Sequence, residues 1–164
     1  MDPAAIIGTT GAIVGIVDLL TRSIKSLHEL HDRWTKTNLT ALNLISQLTA
    51  LKAALSKIQE WVDSDLAREP QHYQLVLDLC TTLNCCQSLV NSVHERIESL
   101  CWQQTNAESQ KGGTPYLRRS SSGESLRTKS KVQVFLKNRE TRDFQRFIQQ
   151  QVDALTLLLI ACNR

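Results

Sequence analysis

The chain has 164 residues, 41% of them hydrophobic, and a formal net charge of +3. That length buries a core without metal or disulfide staples. Only three prolines occur and no glycine falls between Gly15 and Gly112, which excludes a turn-rich β fold and requires long helices.

Asp2-Pro3 opens the first helix, with Asp as N-cap and Pro at the first helical position. Its apolar stripe reads Ile13, Val17, Leu20, Ile24 and Leu27, then His31 and Trp34. Thr37 or Asn38 caps the second helix, whose stripe is Leu44, Leu48, Leu51, Leu55, Ile58 and Val62. Steps of four and three define a seam packed against other helices. Asp63-Ser64-Asp65 and Glu69-Pro70 end that helix. The third runs from about Gln71 to about Glu108, with Val76, Leu79, Leu83, Cys86, Val90, Val93, Ile97 and Leu100 in heptad spacing.

Residues 109–130 change character: three of the six glycines, one Pro and a cluster of Ser and Arg. Such a segment has too little apolar surface to offset its ordering entropy, so a long flexible loop is expected. Val132, Val134, Phe135 and Leu136 then form a short apolar run, read as a short extra helix or an extended lead-in. Asn138 or Thr141 opens the last helix, with Phe144, Ile148, Val152, Leu155, Leu159 and Cys162 along one face. The pattern predicts an all-α fold: a single domain over 1–164, built as an up-down four-helix bundle with crossing angles of about 20°. Short connections place the first three helices up, down and up.

Charge is unevenly distributed. Residues 1–110 carry eight Lys/Arg against twelve Asp/Glu, and residues 111–146 carry ten against three. The basic excess is a local strip, Arg118, Arg119, Arg127, Lys129 and Lys131 onward to Arg146. It fits anionic lipid or an intramolecular contact better than nucleic acid, because stacking aromatics are scarce: Tyr116, Phe135, Phe144 and Phe147, the last two on an apparent core face. Arg118-Arg119-Ser120-Ser121 fits a basic-directed kinase site, at Ser120 or Ser121, or is simply solvated linker.

Five cysteines, an odd number, and no recognisable signal peptide point to reduced, mostly buried thiols in a cytosolic protein. There is no C-x-x-C, and His28, His31, His72 and His94 show no nucleophile-activating pattern. No phosphate-binding loop, nucleophile elbow or zinc-protease motif occurs, so the chain is read as non-enzymatic, with no metal and no cofactor. Trp34, Trp61 and Trp102 lie near helix ends, where they cap a bundle or form an interfacial belt.

The N-terminal segment is unusual. From Pro3 to Val17 no residue is charged. The run is shorter than the roughly 20 residues that span a bilayer. Gly8, Gly11 and Gly15 interrupt it, the last two in G-x-x-x-G spacing. Two readings fit. Either small residues let a buried helix approach its neighbours closely, or the segment is poised to enter lipid or self-associate.

The opening MDPAAIIGTTGAIVGIVDLL, the SLHELHDRW segment, the LNLISQLTALKAALSKIQEWV stripe and the closing DFQRFIQQQVDALTLLLIACNR resemble the N-terminal domains of fungal STAND-type proteins, of the HeLo and HeLo-like cell-death class. The resemblance implies an N-terminal module of a longer protein, acting in programmed cell death, heterokaryon incompatibility or innate immunity. It implies a cytoplasmic bundle that oligomerises and then targets or permeabilises membranes through its first helix. The residues it implicates are Ile6, Ile7, Gly8, Gly11, Ile13, Val14, Gly15 and Val17. Partners would be further copies of itself, anionic lipid on activation, and other domains of the parent protein. The alternative is an adaptor bundle that binds only proteins.

Overall fold

The computed structural model describes residues 3–32, 39–64, 72–109, 134–135 and 138–162, the side chains of 3–7, 73 and 103–109 excepted. Among these residues there are four long helices and no strand: α1 (Pro3–Asp32), α2 (Leu39–Val62), α3 (Tyr73–Ser109) and α4 (Arg139–Cys162). The expected four-helix bundle is therefore the fold. Both candidate caps of α2, Thr37 and Asn38, fall outside the described residues, as do Trp34 and most of 109–130.

Contacts between side chains fix the directions. Thr9 meets Cys80 (3.2 Å) and Ser23 meets His94 Nδ1 (3.0 Å), so α1 and α3 run parallel. Thr10 donates to Asp63 at 3.2 Å, which sets α2 antiparallel to α1. Cys86 with Gln151 (3.4 Å) and Arg96 with Glu140 (3.3 Å) set α4 antiparallel to α3. The helices alternate up and down along the chain as the sequence implies. Their order around the bundle is a finding of its own: α1 packs on α2 and α3, and α4 packs on α2 and α3. Helices α1 and α4 therefore occupy opposite corners.

The core is a continuous cluster of buried residues from all four helices. Every position of the two central stripes is buried, from Leu44 to Val62 in α2 and from Val76 to Leu100 in α3. In α1 the apolar stripe holds at Ile13, Leu20 and Leu27, and the positions between them are off by one. Its buried seam is Thr9, Ile13, Ile16, Leu20, Ser23, Leu27 and Leu30, while Val17, Ile24 and His31 are half-buried flanks. Two hydroxyls sit in this seam, so counting apolar residues alone steps past it. Ser23 donates to the Leu19 carbonyl (2.9 Å), which leaves its lone pairs for an Nδ1–H of His94.

The α4 stripe is only partly interior. Ile148 and Leu155 are buried, with Thr141, but Phe144, Val152, Leu159 and Cys162 are half-buried. Phe147 is half-exposed and not a core residue, since successive helical positions differ by about 100° and Ile148 takes the inward direction. Asn138 precedes α4, and its carbonyl accepts from the Arg142 amide at 3.5 Å. Thr141 instead turns inward and donates to the Phe135 carbonyl at 2.6 Å. Trp61 is buried beside His72, ring centroids 5.8 Å apart and edge-on, and closes the end of the core. Trp102 is exposed and closes nothing.

The cysteines are less buried than expected. No disulfide joins any of the five; Cys86 is buried, Cys80, Cys101 and Cys162 are half-buried, and Cys85 is exposed. Burial, and after it the neighbouring Cys85, push the Cys86 thiol up to about 12. Burial also raises Cys162. We predict that Cys85 reacts first with an alkylating reagent and that Cys86 stays silent until the bundle unfolds. A thiol raised in the folded state favours the native protein fully below the unfolded value of 9.0. That contribution is lost as pH climbs from 9.0 towards about 12. Melting temperature should fall over this range, and fall less steeply in Cys86→Ala.

Candidate interaction surface on the first helix

Helix α1 has two faces with opposite roles. Its inner face is the seam above, with Ile13 and Leu20 fully enclosed. Its outer face carries Gly8, Gly11, Val14 and Gly15, all exposed, before the first charge at Asp18. Val14 is 49% exposed. Ile6 and Ile7 belong to α1, and their side chains fall outside the described residues. Of the implicated residues, then, Gly8, Gly11, Val14 and Gly15 share the open side. Ile13 lies in the core and Val17 is half-buried beside it.

The glycines answer the question that the sequence left open. A Cβ added at Gly8, Gly11 or Gly15 would meet nothing within 4 Å. Close approach of helices within one copy does not require them. Each costs a helix interior about 0.5–1 kcal/mol relative to Ala. We predict that Gly8→Ala, Gly11→Ala and Gly15→Ala each stabilise the bundle by about that amount in urea unfolding. A loss of stability in any of them would show a contact that the fold lacks.

At the far end of α1 the surface is conventional. Asp18 pairs with Arg22 at 2.6 Å, both side chains well exposed, which contributes little to stability. Lys25, His28, Glu29 and Asp32 follow. Charge on α1 and α4 thus changes along the axis. One pole holds the uncharged stretch of α1 and the end of α4, where Ala154 to Cys162 is also without charge, together with the exposed Asp63 and Asp78 of the other two helices' ends. The sequence stripe treated that second stretch only as core; its signal was nine successive uncharged residues, more than one buried face needs. The opposite pole holds Arg96, Glu98, Arg139, Glu140 and Arg142.

Ser109 closes α3 and Arg139 opens α4 at that opposite pole, and the basic strip Arg118, Arg119, Arg127, Lys129 and Lys131 falls between them in the sequence. Those five residues, with Ser120 and Ser121, lie outside the described residues. Among the described residues no group of His, Cys, Asp and Glu is arranged to hold a metal ion. None of the described helices is long and apolar enough to cross a membrane.

Comparison with protein-family models, with curated proteins and with solved structures finds no match to this chain.

Proposed function

We propose that this bundle is a non-enzymatic signalling module of the HeLo-like cell-death class, part of a multidomain fungal protein, which oligomerises and acts on membranes through α1. The observation that carries the reading is the outer face of α1. It is uncharged for four turns, exposed at the described positions from Gly8 onward, and built on glycines that its own fold does not need. Apolar surface left open in this way is suited to lipid or to a partner. Because the N-terminal stretch is too short to span a bilayer, insertion is an act of the assembled state and not of a single resting copy.

The poles suggest how the two features cooperate. In the closed bundle the basic strip would hold the charged pole against anionic lipid, at about 1 kcal/mol per well-placed Lys or Arg. Helix α1 ends at Asp32 on that same pole. Its 30 residues form a rod of about 45 Å, and swinging about the Asp32 end would bring the apolar half to the surface.

The test uses dye-loaded anionic liposomes and the chain clustered by a fused oligomerisation tag. Wild type should release dye, while Gly11→Glu and Val14→Asp lose at least about tenfold of the rate and remain folded. Clustered wild type that leaves such liposomes intact would end the membrane reading. The adaptor reading draws on a specific observation, the complete burial of Ile13 and Leu20; under it α1 would be a permanent member of the core. It requires clustered chain to leave liposomes intact and α1 to stay protected from hydrogen exchange in their presence.

A further inference from the structure

Helix α4 exposes large apolar side chains that the bundle does not cover: Leu157 is 68% and Ile160 49% exposed. Both lie on the side opposite the buried Ile148 and Leu155, together with the exposed Asp143 and Arg146. We propose that this outer face of α4 docks on the outer face of α1 in a second copy of the chain, so that parallel bundles join side by side and head to tail. The proposal deepens the self-associating reading above and rests on it.

Height along the bundle is the first argument. The contacts Thr9–Cys80 and Ser23–His94 level α1 with α3, and Cys86–Gln151 and Arg96–Glu140 level α3 with α4. Carried across, Leu157 stands at the height of Gly8, and Ala154 at that of Gly11. A sideways shift of one copy then brings α4 antiparallel to its neighbour's α1. The bulky Leu157 meets Gly8, which carries no Cβ and has open space around it, and the small Ala154 stands level with Gly11, equally open. Small residues on one helix let the other approach closely.

Charge is the second and independent argument. The first charges on the outer face of α1 are Asp18 and Arg22, both exposed. At the same heights α4 presents Arg146 and Asp143. The pairing therefore sets Asp18 near Arg146 and Arg22 near Asp143, opposite signs both times. Two α1 faces meeting in parallel would instead set Asp18 on Asp18 and Arg22 on Arg22, which is repulsive. Asp153 also lies on the exposed side, where Gln149 donates to it at 2.9 Å.

Because α1 and α4 sit at opposite corners, the two surfaces are different patches of one copy. Such an interface is heterologous, and it closes into a ring or continues as a filament. One helix pair makes a small interface, in the class below about 1,200 Å², so association belongs to high local concentration. All copies point the same way, and the uncharged stretches of their α1 helices collect on one side of the assembly.

The experiment is sedimentation velocity on the whole 164-residue chain over a rising concentration series. Wild type should grow past the dimer. Gly11→Glu and Leu157→Glu should each be monomeric when alone, with unchanged helix content. Mixed one to one they should form a dimer and stop there, because each variant keeps the face that the other has lost. Arg22→Asp should weaken assembly at least about tenfold, and adding Asp143→Arg to the same chain should restore it. That pair serves equally if either Glu variant fails to fold. Leu157→Glu assembling like wild type, or a mixture that stays monomeric, would overturn the pairing and leave self-association through α1 alone intact. Wild type that is monomeric throughout would overturn both, and liposome leakage is read separately.

Discussion

Ile13→Asp should unfold the bundle at room temperature, whereas Val14→Asp, one residue on, should melt within about 1 kcal/mol of wild type. Ile13 is 0% exposed and sits against the core seam of α1. Replacing it removes about 2–5 kcal/mol of packing and transfer energy. The carboxylate adds a desolvation penalty of several kcal/mol unless it is protonated. Together these reach the 5–15 kcal/mol that stabilises an ordinary domain. Val14 already faces water, and surface changes of that kind stay within about 0.5–1 kcal/mol. Circular dichroism and urea titration of the two variants read the difference directly. Two equally stable variants would mean that the inner and outer faces of α1 are wrongly assigned. The contrast also matters for function: loss of activity in Ile13→Asp says nothing about membranes, so Val14 and Gly11 are the informative positions.

How much of this was legible in the sequence varied with how sharply polar residues mark the outside of each helix. In α2 and α3, charged and amide side chains alternate with the stripe, and every predicted core position is buried. In α1 the first four turns have no charged residue to mark water, so the stripe, although it takes Ile13 as core, does not decide which way the glycines point. The buried hydroxyls of Thr9 and Ser23 compounded this, because both lie in the true seam and apolar counting steps past them. Adjacency was not legible at all. Heptad spacing says that a helix packs on something, and the placing of α1 and α4 on opposite corners emerges only from the assembled bundle.

The same limit hid the larger pattern at the candidate site. The uncharged stretches of α1 and α4 are more than a hundred residues apart in the chain and end at one pole because α4 is antiparallel to α3, which is parallel to α1. The basic strip looked like a natural companion to the N-terminal helix on composition alone. Helix α3 ends and α4 begins at the other pole, and the strip itself lies outside the described residues.

Phe135→Ala should cost about 3–5 kcal/mol and loosen the start of α4, while Val134→Ala should cost less than about 0.5 kcal/mol. The sequence marked this apolar run without saying which side chain is anchored. Phe135 is only 3% exposed, and Val134 beside it is 62% exposed. The Arg96 guanidinium lies over the Phe135 ring, 5.8 Å from its centroid, and the same group pairs with Glu140 at 3.3 Å. The Phe135 carbonyl accepts from the Asn138 amide (3.0 Å) and from the buried Thr141 hydroxyl (2.6 Å). One aromatic ring thus ties α3 to the first turn of α4, and its carbonyl holds the entry angle of that helix. Removing the ring leaves a cavity and frees Arg96, and the Thr141 hydroxyl keeps its acceptor only if the backbone stays in place. Trypsin should then cut at Arg139 and Arg142 before the rest of the bundle opens. If the two alanine variants melt together and resist trypsin alike, Phe135 is not the anchor, and α4 is held in place by Ile148 and Leu155 alone.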